Sequence, residues 1–465
     1  MTTNPESVRQ RSGARRRRLL AAVAAVALLA AACGGGDEAS DTTIAATTVP
    51  PEDREPATVT LWSSFTDPET IEKFQPLIDR CQTDNEWLTI EYVAKDDMST
   101  ALAAASEANE VPDLVQADFT GGLAKIQATG VISPVDEFIE RDGFDWDQFV
   151  SGGQKLVTFN GKRWGIPFSV DTVALFYNQD ILDEAGLEVP TTWDDLLAAA
   201  EALIERDDDG NLTRLGFVPD VGDGSYVTSS ALAYGGAAFS DDGTEVLVGD
   251  GDAWATMLRD QQKFYDIVGN DDLTEFAAGF GSYDSSENFF ITGEVPLYFE
   301  GSYFVTWPGR FGEGKPANWG VVPLPAPDGS PEGVSMVASG NSFFIPAEAT
   351  DREASWVAAS CMATAAQEIA TLQEFNGNIP SNIAALDIFE ADQVAKIPQF
   401  QAFVDIARSP DALVQSNGVI AETASDQIVQ LALEFRRGNI ADEDLESELA
   451  DLDGRLQDEL DLELG

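Results

Sequence analysis

The 465-residue chain contains no histidine. That absence removes Ser-His-Asp and Cys-His nucleophile systems, histidine general bases and His-ligated zinc together, because each needs an imidazole. Cysteine is nearly as scarce. Cys33, Cys81 and Cys361 are the only three, too scattered for a thiolate cluster, whose ligands come in pairs a few residues apart. Neither a metal nor a cofactor is expected. Basic residues are few as well: 27 Lys plus Arg stand against 81 Asp plus Glu, a formal net charge of −54. Six of those 27 are arginines in the first eighteen residues, so the rest of the chain is more acidic still. Such a surface repels phosphate backbones and excludes nucleic acid as a partner. The acids are spread along the chain, which suits solubility in a variable exterior and leaves attraction of cations open. The apolar run Leu19 to Ala32 is fourteen residues, short of the roughly 20 a bilayer-spanning helix needs.

What the chain does have is apolar bulk: 44% apolar residues, nine Trp and 26 Phe with only 23% charged residues specify a folded body rather than a disordered one. At its start, Arg15 to Arg18 precede the uncharged run Leu19 to Ala32, the arrangement of an export signal, with a single membrane-spanning helix as the alternative. The run ends Leu29-Ala30-Ala31-Ala32-Cys33-Gly34, which resembles a bacterial lipobox. The resemblance implies cleavage before Cys33, diacylation of its sulfur, and an extracytoplasmic protein held by lipid on the outer face of the cell membrane. Two acyl chains suffice for stable anchoring where one is marginal. Residues 1–32 are then the signal peptide. Residues 33–57, rich in Gly, Thr, Ala, Asp and Pro without an apolar period, read as a flexible tether. With Cys33 lipidated, Cys81 and Cys361 remain as a pair in an oxidising compartment, where a disulfide and two buried free thiols are both open.

From Ala57 onward, short apolar runs alternate with amphipathic stretches, the pattern of an α/β protein. Strands are expected at Thr58–Trp62, Leu88–Val93, Leu114–Ala117, Val173–Tyr177, Leu215–Pro219, Glu294–Phe299 and Ser342–Ile345. Helices are expected at Pro68–Cys81, Met98–Glu107, Ala253–Val268, Asp351–Gln373 and Thr423–Arg437. Thr192-Trp193-Asp194-Asp195 forms a capping box that starts a further helix running through Leu196–Ile204. The acidic end, Asp442 to Gly465, carries Leu at helical spacing and reads as a surface helix.

The stretch Trp164-Gly165-Ile166-Pro167-Phe168-Ser169-Val170-Asp171, followed by Ala174-Leu175-Phe176-Tyr177-Asn178, resembles the bacterial extracellular solute-binding proteins that take up sugars, the family that includes the maltose-binding protein. Ala185-Gly186-Leu187 with Pro190 to Leu196 strengthens the likeness, as do Trp62 to Phe65, Pro112 to Val115, Phe290 to Tyr303, Trp319 to Pro325 and Gly377 to Pro380, all in the family's order. The resemblance implies a two-lobe periplasmic-binding-protein-like fold whose lobes close by a multi-segment hinge on a central cleft. It divides the chain into 58–169 plus 338–390 for the first lobe and 174–334 plus 391–465 for the second. It also implies a monomer that captures a carbohydrate and delivers it to the permease subunits of an ABC transporter.

A neutral sugar has flat apolar faces and an equator of hydroxyls, so its site needs rings for stacking and carboxylates, amides or hydroxyls for orientation. Loops at the carboxyl ends of strands are where such groups converge. Ser64 and Phe65 follow the first strand, and Gln116, Asp118 and Phe119 follow the third. Matched to the family, Asp171 stands on the first crossing where a sugar-contacting carboxylate is found, and Tyr303 where a stacking Trp is found. Tyr234, Asn341 at the return crossing and Asn417 complete the candidates. Each has a plainer reading: core packing for Phe65, Phe119 and Tyr234, and a cap or solvated carboxylate for Asp118 and Asp171.

Two motifs fail on inspection. Gly309 to Lys315 has P-loop spacing but is followed by Pro316, which offers neither hydroxyl nor amide to a nucleotide. Asp207-Asp208-Asp209-Gly210 opens like a calcium loop but places Gly216 where a bidentate Glu belongs. Two other classes stay open: a receptor for a polyamine or basic peptide, which the acidity favours, and a glycosidase using two carboxylates, which needs no histidine.

Overall fold

The structure is a computed structural model that describes residues 54–217, 219, 225–327, 329 and 333–465, with only the backbone of 225–228. The expected signal peptide, Cys33 and most of the tether lie outside the described residues. The body begins slightly earlier than residue 58. The Arg54 guanidinium sits 4.8 Å from the Trp87 ring centre and 3.3 Å from the Glu353 carboxylate.

In chain order come β1 (Ala57–Ser63), β2 (Leu88–Ala94), β3 (Leu114–Ala117), a small hairpin of β4 (Thr158–Phe159) and β5 (Lys162–Arg163), and β6 (Gly165–Pro167). After one residue β7 (Ser169–Asn178) begins. A second hairpin pairs β8 (Glu205–Arg206) with β9 (Leu212–Arg214), and β10 (Leu297–Gly301), β11 (Trp319–Val322), β12 (Met336–Ser339), β13 (Ser342–Phe344), β14 (Ile379–Pro380) and β15 (Leu413–Val414) follow. They assemble into two larger sheets. The first has the order β2-β1-β3-β13-β6, with β1 parallel to β2 and β3 and β13 antiparallel to β3 and β6. The second has the order β10-β7-β12-β15, with β11 and β14 also paired to β7. Apart from Asp171 and Tyr177, β7 is buried along its whole length. That is why its stretch Val173–Tyr177 reads as a continuous apolar run rather than an alternating one.

Helices flank both sheets because their apolar stripes need cover. The helix Pro68–Asp84 starts where Asp67 accepts from the Thr70 amide at 2.9 Å and Pro68 occupies the first turn, where its missing amide costs nothing. It buries Phe74, Leu77, Ile78 and Cys81 under the first sheet. Cys81 is bonded to Cys361, with S–S 2.07 Å and Cα–Cα 5.8 Å. The disulfide therefore forms, tying this helix to Arg352–Thr364. The capping box holds, the Asp195 amide donating to Thr192 Oγ1 at 3.1 Å.

Two expectations need correction. The helix foreseen over Asp351–Gln373 is two helices, Arg352–Thr364 and Ala366–Asn376, because Ala365 leaves helical geometry at φ −76°, ψ 75°. The alanine-rich sequence there carries no breaker. The strand foreseen at Leu215–Pro219 is absent among its described residues; the Leu215 amide makes one bond, to the Glu294 carbonyl at 2.9 Å. At the acidic end, Leu445, Leu449, Leu452, Leu456 and Leu460 of the helix Leu445–Leu464 are all buried, so one stripe of that helix closes a separate cluster with Trp254, Leu258 and Ile428.

Candidate binding site

The site is positioned by the places where the chain passes between the sheets. The first passage is Phe168, between β6 and β7; the second is Gly340-Asn341, between β12 and β13. Both the Phe168 and Ser169 amides donate to the Asn341 carbonyl at 3.0 Å, so the two passages are bonded to each other. Gly340 permits this: a Cβ there would lie 2.4 Å from the Ser169 carbonyl oxygen. A third passage is β14, whose Ile379 and Pro380 pair with Val170 and Ser169.

Asp171 stands two residues into β7, opposite Ser339. Its Oδ1 accepts from the Ser302 amide at 3.0 Å and the Ser302 hydroxyl at 3.1 Å. The carboxyl keeps some solvent contact but is otherwise ringed by protein. Burial, then the Glu300 carboxylate, push its pKa up to about 7 against the two Ser302 hydrogen bonds; Asp118 adds a smaller push the same way. Tyr303 belongs to the same point in space. A Cβ built on Gly301 would lie 2.6 Å from Tyr303 Cε1 and 2.7 Å from both Asp171 oxygens. Glycine at 301 is what lets the ring and the carboxylate meet.

Glu300, which sequence reasoning missed, organises this corner. It is 2% exposed and accepts hydrogen bonds from the hydroxyls of Tyr298 and Tyr303, both at 2.8 Å, from the Tyr283 hydroxyl, and from the Gly301 amide at 2.7 Å. A buried carboxylate is tolerable only when its lone pairs are filled in this way. The cost falls partly on Tyr283, whose phenol burial and the Glu300 charge hold well above the usual range. No single residue spacing reveals the trio, since Tyr283, Tyr298 and Tyr303 come from a loop, a strand and a short helical turn.

On the other side of Tyr303 opens a cleft of about 550 Å³. The loop after β1 contributes Ser64, Phe65 and Asp67, and the helix Trp307–Arg310 and the end of Ala366–Asn376 contribute the facing wall. Ser64 donates to Asn341 Oδ1 at 3.4 Å and its amide to the Gln116 carbonyl at 3.0 Å, linking the cleft to the return passage. Phe65 is half-buried, edge-on to Phe74 at 6.1 Å.

The family model of the bacterial extracellular solute-binding proteins matches residues 67–369. The chain belongs to this family. As a solute-binding protein it is extracytoplasmic and a binder rather than an enzyme, and no helix among the described residues is long and apolar enough to cross a membrane. It is 26% identical over 271 residues to the maltotriose-binding protein of Pyrococcus abyssi, an alignment covering 57% of this chain and 53% of that one; the chain thus spans about half the length of that curated relative. In fold it is similar to the sugar-binding protein MalE of Xanthomonas citri, with a TM-score of 0.70 at 20% identity over 87% of this chain and 97% of that one. It is also similar to CpMnBP1 with mannotriose bound, with a TM-score of 0.69 at 20% identity over 85% and 99%. The architecture is therefore the two-lobe α/β fold.

Of the candidates in this solute-binding protein, Ser64, Phe65, Asp171, Tyr303 and Asn341 come together around the cleft and the passages. Asp118 is exposed, its Oδ1 accepting from the Thr120 amide at 2.8 Å, and it reaches Asp171 only through its field. Gln116 is fully buried and acts as a strut, accepting from Ser63 Oγ and donating to Asn341 Oδ1 at 2.6 Å. Phe119 is placed in the core, 4.8 Å from Phe344, the plainer of its two readings. Tyr234 lies against Trp193 and donates to Asp260 at 3.0 Å, lining a separate cavity of about 20 Å³, enough for water and not for a sugar. Asn417 is buried, and its carbonyl lies 2.9 Å from where a Cβ on Gly243 would stand. Sequence reasoning missed Glu300, Tyr283, Trp307, Arg310 and Phe375.

Proposed function

We propose that this protein is a lipid-anchored receptor that captures a carbohydrate in the cleft beside Asp171 and Tyr303 and delivers it to an ABC transporter permease. The observation that carries the reading is the meeting of a carboxylate and an aromatic ring over Gly301, beside the bonded passages that link the two sheets. The ring supplies a stacking face and the carboxylate strong acceptors for hydroxyls. The names of the relatives, maltotriose-binding and mannotriose-bound, support the ligand class.

The lobes in this reading are 58–169 plus 338–390 and 174–334 plus 391–465. The division of the strands between the two sheets supports that boundary, with three exceptions that lie in the first segment set but in the second sheet: β14, which pairs with β7, the last two residues of β12, and Ser169 at the start of β7. Closure about the passages traps the ligand and holds it without altering it. Cys33 provides the anchor, and its loss in Cys33→Ser should move the protein from the membrane fraction to the soluble fraction. Equal membrane retention of the variant would remove the lipid from the account.

The test of the ligand class is isothermal calorimetry with maltotriose, mannotriose, spermidine and a lysine-rich peptide. The reading expects saturable binding of a saccharide at micromolar or lower Kd. Binding of the amine or the peptide alone would replace the carbohydrate with a cation, and release of shorter sugars during incubation would make the protein a glycosidase.

A further inference from the structure

The cleft extends past Tyr303 in a direction that the Asp171 corner does not use. Trp307 stands edge-on to Tyr303 at 6.1 Å and to Phe311 at 5.2 Å, so a half-buried indole is fixed by rings on two sides. Arg310, one turn on, has its guanidinium 5.3 Å from the Phe311 ring centre and 5.3 Å from that of Phe375. Among the described residues it makes no ion pair, in a chain where most arginines do. Asp67, which lines the same cleft, feels its field without bonding to it. A guanidinium seated between two rings has already given up most of its side-chain freedom, so its N–H groups can bind an oxygen at little further entropic cost.

We infer that Trp307, Arg310 and Phe375 form a second saccharide subsite next to the Asp171 and Tyr303 corner, and that the ligand is an oligosaccharide of two or more rings rather than a monosaccharide. The inference rests on the carbohydrate reading above and adds to it the ligand's length. Four features support it. The cleft's 550 Å³ falls within the range of about 300–1,000 Å³ that buries drug-sized ligands, and one pyranose is smaller than those. The cleft has its own platform in Trp307, so a second ring can stack without displacing the first. Its donor, Arg310, is of the opposite type to Asp171: one corner accepts from hydroxyls and the other donates to ring, hydroxyl or glycosidic oxygens. Finally, it draws on three separate segments, the loop after β1, the helix Trp307–Arg310 and Phe375 of the helix Ala366–Asn376, so an occupant would be gripped from both walls.

The experiment is calorimetric titration of the purified protein with glucose, maltose and maltotriose, and with mannose, mannobiose and mannotriose. In one series the affinity should rise tenfold or more from one ring to two or three. Trp307→Ala and Arg310→Ala should each shrink the ratio of trisaccharide to monosaccharide affinity by tenfold or more, with Trp307→Phe recovering most of the loss by restoring a ring. Arg310 is exposed, so its variant tests the subsite even if Trp307→Ala folds poorly. A monosaccharide that binds as tightly as its trimer, or variants that weaken both to the same degree, overturns the subsite while leaving carbohydrate binding in place. Failure of all six sugars to bind overturns the parent reading and the subsite with it.

Discussion

Acidification should loosen the ligand through Asp171. Its carboxyl is pushed up to about 7 by burial and by Glu300, with a smaller contribution from Asp118. A sugar hydroxyl that donates to the carboxylate favours the ionised form, so binding releases a proton wherever the free protein holds one. With a pKa near 7, roughly three-quarters of the molecules are ionised at pH 7.5 and about 3% at pH 5.5, a ratio of about 25, or about 2 kcal/mol. The Kd for the recognised sugar should therefore weaken by about 25-fold over that interval. Asp171→Asn keeps the shape and an acceptor for Ser302, so its Kd should be nearly flat with pH and weaker than wild type at pH 7.5 by about 10-fold or more. Calorimetry at the two pH values, in two buffers of different ionisation enthalpy, reads both the Kd and the released proton. A wild-type Kd that does not move, or an Asn variant that moves as much, would refute the assignment of Asp171. The stability sign is opposite. Because the folded-state value lies above the ordinary 3.8, the native state retains the proton longer, and the contribution is fully present below about 4 and lost as the pH rises through about 7.

Further outcomes follow from the same geometry. Glu300→Gln removes the like charge beside Asp171, so the midpoint of the pH dependence should fall below 7, and the loosened tyrosines should weaken sugar binding several-fold; an unchanged midpoint would separate the two carboxylates. Cys81→Ser opens a bridge spanning 280 residues of sequence and should cost about 3–5 kcal/mol in urea denaturation, an effect that reductant should reproduce in the wild type. Phe119→Ala should cost about 3–4 kcal/mol of stability, and Tyr234→Phe should lose only the bond to Asp260. Both should retain wild-type Kd for the sugar, and a large loss of affinity in either would return these rings to the site.

The parts of the fold that sequence revealed are those set by local chemistry. The helix Ala253–Val268 is bounded as its apolar stripe predicts, and the Thr192 cap and the run inside β7 needed nothing beyond the pattern. The short strands β6, β11 and β12, three or four residues each, carry too few residues to show a period and exist because β7 and β13 give them partners. The break at Ala365 is imposed by packing, since nothing in its neighbours disfavours helix. Within the site, Asp171 and Tyr303 were legible only through the family's order of motifs, their contact being made by a glycine 130 positions after the first, Gly301. Glu300 and Phe375 were not legible. One depends on three tyrosines from different segments, and the other on an arginine 65 positions earlier, Arg310. Position after a strand does not by itself decide which way a side chain faces: Phe119 turns into the core against Phe344, whereas Gln116, inside β3, reaches Asn341 at the return passage.

The most direct test is a crystal structure of the protein grown with maltotriose or mannotriose. The account predicts a sugar ring stacked on Tyr303 with a hydroxyl within hydrogen-bond distance of the Asp171 carboxylate. A saccharide seated away from both residues, with this corner still open to solvent, would contradict it.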